Sequence, residues 1–123
     1  MQTIDYFYAH GKLLLTGEYL VLDGAPALAV PTQKGQWLQV TSQASNAPII
    51  HWKSYRADRS LWLDLQINPK YWEARHTNEE AVTSRLVDIL KAIQSIESQA
   101  FPPGQSLYFT THLEFPNEWG LGT

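Results

Sequence analysis

The sequence predicts an α+β fold in which one long helix covers a face of a mixed or antiparallel sheet. Three observations carry this. Short apolar, β-prone runs separated by glycine and proline fill the chain from Tyr6 to Ile67. One stretch, Glu79 to Ser98, repeats apolar residues at helical spacing. A Tyr-, Phe- and Thr-rich run, Ser106 to Leu113, follows it. Strands, then one long helix, then a strand make a two-layer arrangement.

The first strands lie in "YFYAHGKLLLTGEYLVLDGAPALAV", Tyr6 to Val30, where glycines at 11, 17 and 24 interrupt the apolar residues. Apolar runs bounded by Gly and Pro read as buried or half-buried strands. We place strands near 4–9, 11–16 and 27–31 with a turn at Asp23-Gly24, while Glu18 to Leu22 also suits a helical turn. Further along, Trp37 to Thr41 alternates, Ile49 to Tyr55 does so less cleanly, and Leu61, Leu63, Leu65 and Ile67 recur with period two. That period puts each set on one strand face. Ser42 to Ala47 reads as a loop, and the polar Arg56 to Arg59 suits a hairpin turn.

The helix has a start and a stop in the sequence. Thr77 and Glu80 have the S/T-x-x-E spacing of a capping box. Val82, Leu86, Ile89, Leu90, Ile93 and Ile96 form a stripe expected to pack on the sheet. Phe101-Pro102-Pro103-Gly104 prevents continuation, because proline lacks the N–H and clashes with the preceding turn.

Composition narrows the function classes. The chain has 123 residues, enough for one domain or part of one, and 44% hydrophobic against 17% charged residues favours a packed core over disorder. There is no cysteine, hence neither a disulfide framework nor a thiolate site. The formal charge is −3 and the nine Lys and Arg form no block, which argues against a nucleic-acid backbone as partner. A small anion needs only one loop and one lysine. The first apolar run, Leu13 to Leu15, is too short for a signal core or a span, so no membrane association and a cytoplasmic setting are expected.

Side chains that often carry chemistry are scattered. His10, His51, His76 and His112 show no zinc-type spacing, and no metal ligand is assigned. The five tryptophans suit sheet-face packing better than base stacking. Gly120-Leu121-Gly122-Thr123 is different: two glycines let backbone N–H groups converge on an anion. Alone, G-x-G equally describes a turn.

The other end of the chain adds to it. "AHGKLLLTGEYLVLDGAPALAV", Ala9 to Val30, resembles the N-terminal motif of the GHMP kinase superfamily, which comprises the galactokinases, homoserine kinases, mevalonate kinases and phosphomevalonate kinases. Ala9, Gly11, Lys12, Gly17, Glu18, Tyr19, Gly24, Pro26, Ala27 and Leu28 match that motif. Pro116, Gly120, Leu121, Gly122 and Thr123 resemble the family's phosphate loop, P-x-x-x-G-L-G-[ST]-S. Two motifs in the family's order are more specific than either alone.

The resemblance implies a fold like ribosomal protein S5 domain 2. It implies that residues 1–123 are the N-terminal part of an ATP-dependent small-molecule kinase, an incomplete domain ending inside the phosphate loop. The implied reaction moves the γ-phosphoryl group of Mg-ATP to a hydroxyl or phosphate of a mevalonate- or phosphomevalonate-like metabolite. By the same resemblance Gly120, Leu121 and Gly122 would line the ATP phosphates through backbone N–H groups, and the Thr123 hydroxyl would lie near the phosphates or Mg2+. Lys12 would offset charge on the transferring phosphoryl group, and Glu18 and Tyr19 would border the acceptor.

Each residue has a plainer role beside this one: Lys12 as a solvated side chain, Glu18 as the start of a helical turn, Gly11 and Gly17 as turn formers. His10 stands where the family usually has proline, and Glu118, where many members have glycine, adds negative charge near the expected phosphates. The implied magnesium ligand and general base match no residue of this chain, so the chain alone is expected to be inactive. A non-catalytic S5-like module, one that self-associates or completes a split kinase with a missing C-terminal portion, is the alternative expectation.

Overall fold

Alternating side chains build the sheet, and the helix then covers part of it. The computed structural model describes residues 3–17 and 20–121. Its strands are β1 (Thr3–Thr16), β2 (Leu28–Ala44), β3 (Ile50–Tyr55), β4 (Leu61–Asn68), β5 (Glu73–Arg75) and β6 (Gln105–Leu113). Between β5 and β6 runs α1 (Glu80–Ile96), and short 3-10 turns cover Leu20–Asp23 and Asn117–Trp119. The α+β class expected from the sequence is observed, with one sheet in the order β1-β2-β6-β3-β4-β5. All neighbours are antiparallel except β3 and β6, which are parallel. The sheet is therefore mixed, and β3 and β6 are joined through β4, β5 and α1.

The core lies where α1 crosses β3 and β4. Ile50, Leu63, Leu65, Ile67 and Leu90 form one buried cluster, with Trp52, Leu86, Val87, Phe101 and Phe109 packed around it. Period two explains β4: Leu63, Leu65 and Ile67 are buried while Asp64 and Gln66, one residue out of step, point to the other face. Each buried Leu or Ile contributes about 1.5–3 kcal/mol of transfer free energy. Ser54 and Thr111 are also buried, and they satisfy one another by a hydroxyl hydrogen bond of 2.7 Å.

The expected strand boundaries need correction. The segments 4–9 and 11–16 are one strand, because Gly11 sits at a register irregularity between His10 and Lys12 rather than in a turn. A glycine at a bulge bends a strand without ending it. The expected strands at 27–31 and 37–41 likewise merge into β2, with His10 opposite Gly35 and Lys12 opposite Pro31. The proline is tolerated at that irregularity, where a ladder donor is not required. Strand β5 was not expected, since three residues are too few to display a period.

The helix differs in two ways. Its N-cap is Glu79, with no side-chain capping bond, and Thr77 Oγ1 accepts from the Glu79 N–H at 3.1 Å. The capping box therefore does not form; the Thr hydroxyl makes a tight local turn before the helix. The apolar stripe is also split. Thr83 and Leu90 are buried, but Ile89, Ile93 and Ile96 are 51%, 42% and 87% exposed. Leu86 faces the core cluster while Val82 and Ile89 look toward Phe7 and Leu38 of β1 and β2, across an open apolar groove of about 460 Å3.

Candidate functional site

The two motifs at opposite ends of the chain are in contact. The backbone N–H of Lys12 donates to the carbonyl of Leu121 at 2.7 Å. Gly11, buried beside it, allows this approach: a Cβ at position 11 would stand 2.6 Å from Thr32 Oγ1 and 3.1 Å from both the Leu121 side chain and the Lys34 carbonyl. Only the smallest residue fits between β1, β2 and the terminal loop. Lys12 itself is exposed, so its ammonium remains solvent-accessible.

The loop is held from below and shaped from above. Phe115 is fully buried and, with Leu113 at the end of β6, fixes where the chain leaves the sheet. Pro116 precedes the turn Asn117–Trp119, and Gly120 closes it at φ 67° with its N–H donating to the Asn117 carbonyl at 3.2 Å. The left-handed conformation explains the glycine. Among the described residues nothing lies within 4 Å of where a Gly120 Cβ would stand.

Charge beside the loop is organised by Glu114. Its carboxylate accepts from the Tyr8 hydroxyl and, at 2.9 Å, from the Gly35 N–H. The Glu114 N–H in turn donates to the Gly35 carbonyl at 3.0 Å. The Tyr8 hydroxyl first, then the Gly35 N–H, with the Trp37 indole and the Lys34 ammonium adding less, hold the Glu114 carboxyl below the usual carboxylate range. The same hydrogen bond raises the Tyr8 hydroxyl above the ordinary phenol value. Lys34 Nζ lies 5.6 Å from the Trp119 ring centroid, a cation–π arrangement that sets a positive charge beside the residue preceding Gly120.

Gly17 and Gly24 shape the connection after β1. Gly17, at φ 79°, accepts from the Val21 N–H at 2.9 Å, and Gly24, at φ 87°, donates to the Val21 carbonyl at 3.1 Å. The turn expected at Asp23-Gly24 is present, preceded by the 3-10 turn Leu20–Asp23.

Of the residues singled out from the sequence, Lys12, Gly120 and Leu121 come together. Glu18, Tyr19, Gly122 and Thr123 lie outside the described residues. Glu118 is exposed within the 3-10 turn. It also lines a cleft of about 320 Å3 with Arg56 and Asp58 of the β3–β4 hairpin, so a guanidinium is available near the extra negative charge. Sequence reasoning missed Tyr8, Lys34, Arg56 and Glu114. The signal available for Glu114 was its position between Leu113 and Phe115, both buried, which turns the carboxylate to the opposite side. Among the described residues no group of three or more His, Cys, Asp or Glu is placed to hold a metal ion.

The chain matches no family model, no curated protein and no solved structure. Among the described residues no helix is long and apolar enough to cross a membrane.

Proposed function

We propose that this chain is the N-terminal part of a GHMP-type kinase with an S5 domain 2-like fold, and that it contributes Lys12 and the Gly120–Leu121 segment to a nucleotide-phosphate site. The observation that carries the reading is the Lys12–Leu121 backbone bond, which joins the two segments that resemble the family's motifs. ATP, when bound, supplies the γ-phosphoryl group for transfer to a hydroxyl or phosphate of a small metabolite. The open backbone at Gly120 admits a phosphate closely, and the Lys12 ammonium offsets negative charge as it develops on the transferring group. Glu114, by accepting from Tyr8 and Gly35, keeps β1, β2 and the loop in register. Mg2+ is part of the reading through the resemblance alone, and no step is assigned to it. The setting is cytoplasmic on this reading, with no nucleic-acid or membrane partner.

Titration of the isotope-labelled 123-residue chain with ATP tests the proposal by amide chemical shifts. Saturable changes centred on Gly11, Lys12, Gly120 and Leu121, lost in Lys12→Ala, are expected. Changes elsewhere, or none at millimolar nucleotide, overturn it. The chain alone is expected to be inactive; ATP turnover by it that vanishes in Lys12→Ala would overturn that part while keeping the site.

A second reading has its own observation. Phe7, Val82 and Ile89 are 55%, 37% and 51% exposed along one apolar groove, as in a module that self-associates or receives a further protein segment. A monomer by light scattering that binds no apolar dye would dispose of it.

A further inference from the structure

A second cleft, of about 530 Å3, lies at the far end of the sheet, where β3 and β6 begin. The nine residues of β6, about 27–30 Å of extended chain, separate it from the Gly120 loop. Its volume is within the range of small-molecule sites. The floor is apolar, with Ile50, Leu107 and Phe101, and Lys70 and Arg75 are its charged members. No acidic side chain lines it, and neither cation forms an ion pair among the described residues.

The segment presenting these cations is held in an uncommon conformation. Trp72 and His76 are non-glycine residues in the left-handed region, at φ 57° and 53°. Asn68 anchors the turn: its Oδ1 accepts from the Lys70 N–H at 2.9 Å and its carbonyl from the Trp72 N–H at 2.7 Å. The Trp72 ring then meets Phe101 edge-on at 5.4 Å between centroids. Left-handed bulky residues persist only where surrounding contacts over-determine them, and they cluster at ligand sites. Here they set Arg75 and Lys70, whose ammonium lies 5.3 Å from the Tyr71 ring centroid, at the rim of an apolar hollow.

We infer that the cleft bounded by Lys70, Arg75 and Phe101 binds a small amphipathic anion, an apolar body carrying a carboxylate or phosphate head. The body lies against Ile50, Leu107 and Phe101, and the head meets Lys70 and Arg75. An anionic head gains charge-assisted contacts with both cations that a neutral apolar molecule does not, and a cationic one would be repelled. The inference does not depend on the nucleotide reading, since the two sites share no residue.

The test is an amide chemical-shift titration of the 123-residue chain with octanoate, octyl phosphate and octanol. Expected are saturable shifts confined to Asn68–Arg75 and Phe101–Leu107 with either anion, and affinity for octanol weaker by roughly tenfold or more. The double variant Lys70→Ala/Arg75→Gln removes that preference while binding octanol as before. Both side chains are at the surface, and the single variant Lys70→Gln, expected to show a partial loss, serves if the double variant unfolds. Equal affinity for octanol, shifts centred instead on Phe7 and Ile89, or no saturable shift with either anion would overturn the inference.

Discussion

Lys12 and Leu121, near opposite ends of the chain, are tied by their backbones: the N–H of one donates to the carbonyl of the other at 2.7 Å. The bond leaves both side chains out of the link. A structural tie and a chemical group therefore reside in the same residue but in different atoms, and substitution can separate them.

Lys12→Ala keeps the N–H. Because the ammonium is exposed and Lys12 has no resolved ion pair among the described residues, unfolding free energy should change by no more than about 0.5 kcal/mol. ATP-dependent shifts at Gly120 and Leu121 should vanish. In a catalytically complete kinase containing this segment, kcat should fall by roughly 10²–10³, the usual cost of removing one transition-state charge partner. Urea unfolding and nucleotide titration on the same samples check both halves; a large stability loss with unchanged binding would reverse the assignment.

Glycine substitutions should rank by what a new Cβ meets. At Gly35 it would stand 2.0 Å from the Ala9 carbonyl, at Gly11 2.6 Å from Thr32 Oγ1, and at Gly24 near nothing within 4 Å among the described residues. Gly35→Ala must part β1 from β2 and should be the most damaging. Gly11→Ala should cost about 1–3 kcal/mol, typical of overpacking, and should displace the Leu121 segment. Gly24→Ala, strained only by its φ of 87°, should cost about 1–2 kcal/mol. Chemical denaturation of the three variants tests the order; Gly24→Ala as the worst would refute it.

Local pattern and long-range register explain what the sequence does and does not disclose. Leu61, Leu63, Leu65 and Ile67 announce β4 because every second residue is apolar and the last three are buried on one face. The stretch from Val82 to Ile96 announces a helix, yet periodicity cannot say how much of its stripe the sheet covers; Val82 and Ile89 look across an open groove. Gly11 reads as a break because a bulge and a turn use the same residue. The Lys12–Leu121 meeting is implied by the motif resemblance alone. Tyr8 with Glu114 is invisible, since that contact depends on how β1, β2 and β6 are registered.

Stability should depend on pH at that contact. Glu114 has a lowered folded-state pKa, so its contribution is present above the unfolded carboxylate value and is lost as pH falls through the folded one. Tyr8 has a raised pKa. Its contribution is present below the unfolded phenol value, near 10, and is lost as pH rises through the folded one. The pair therefore stabilises the fold across neutral pH and weakens at both ends. Glu114→Gln should flatten the acid limb and lower the basic one's amplitude, and Tyr8→Phe should act at both limbs without altering Asp58, whose own lowered pKa comes from Ser60. Thermal unfolding from pH 3 to 10.5 measures this; an unchanged acid limb in Glu114→Gln would show that the contact contributes nothing.

The division of α1 between a covered and an uncovered side makes the last prediction. Leu65 is completely buried against Leu90 and its neighbours, whereas Ile89 is half exposed and Ile96 is 87% exposed. Leu65→Ala should cost about 2–5 kcal/mol, because the cavity adds to the lost transfer energy. Ile96→Ala should cost no more than about 0.5 kcal/mol. Ile89→Lys should leave the unfolding midpoint within a few degrees while reducing apolar-dye binding and any self-association, since it places a charge in the groove shared with Phe7 and Leu38. Calorimetry, dye fluorescence and light scattering on the three variants check it. A collapse of stability in Ile89→Lys would mean that this side of α1 is packed in the folded protein and that the groove is closed.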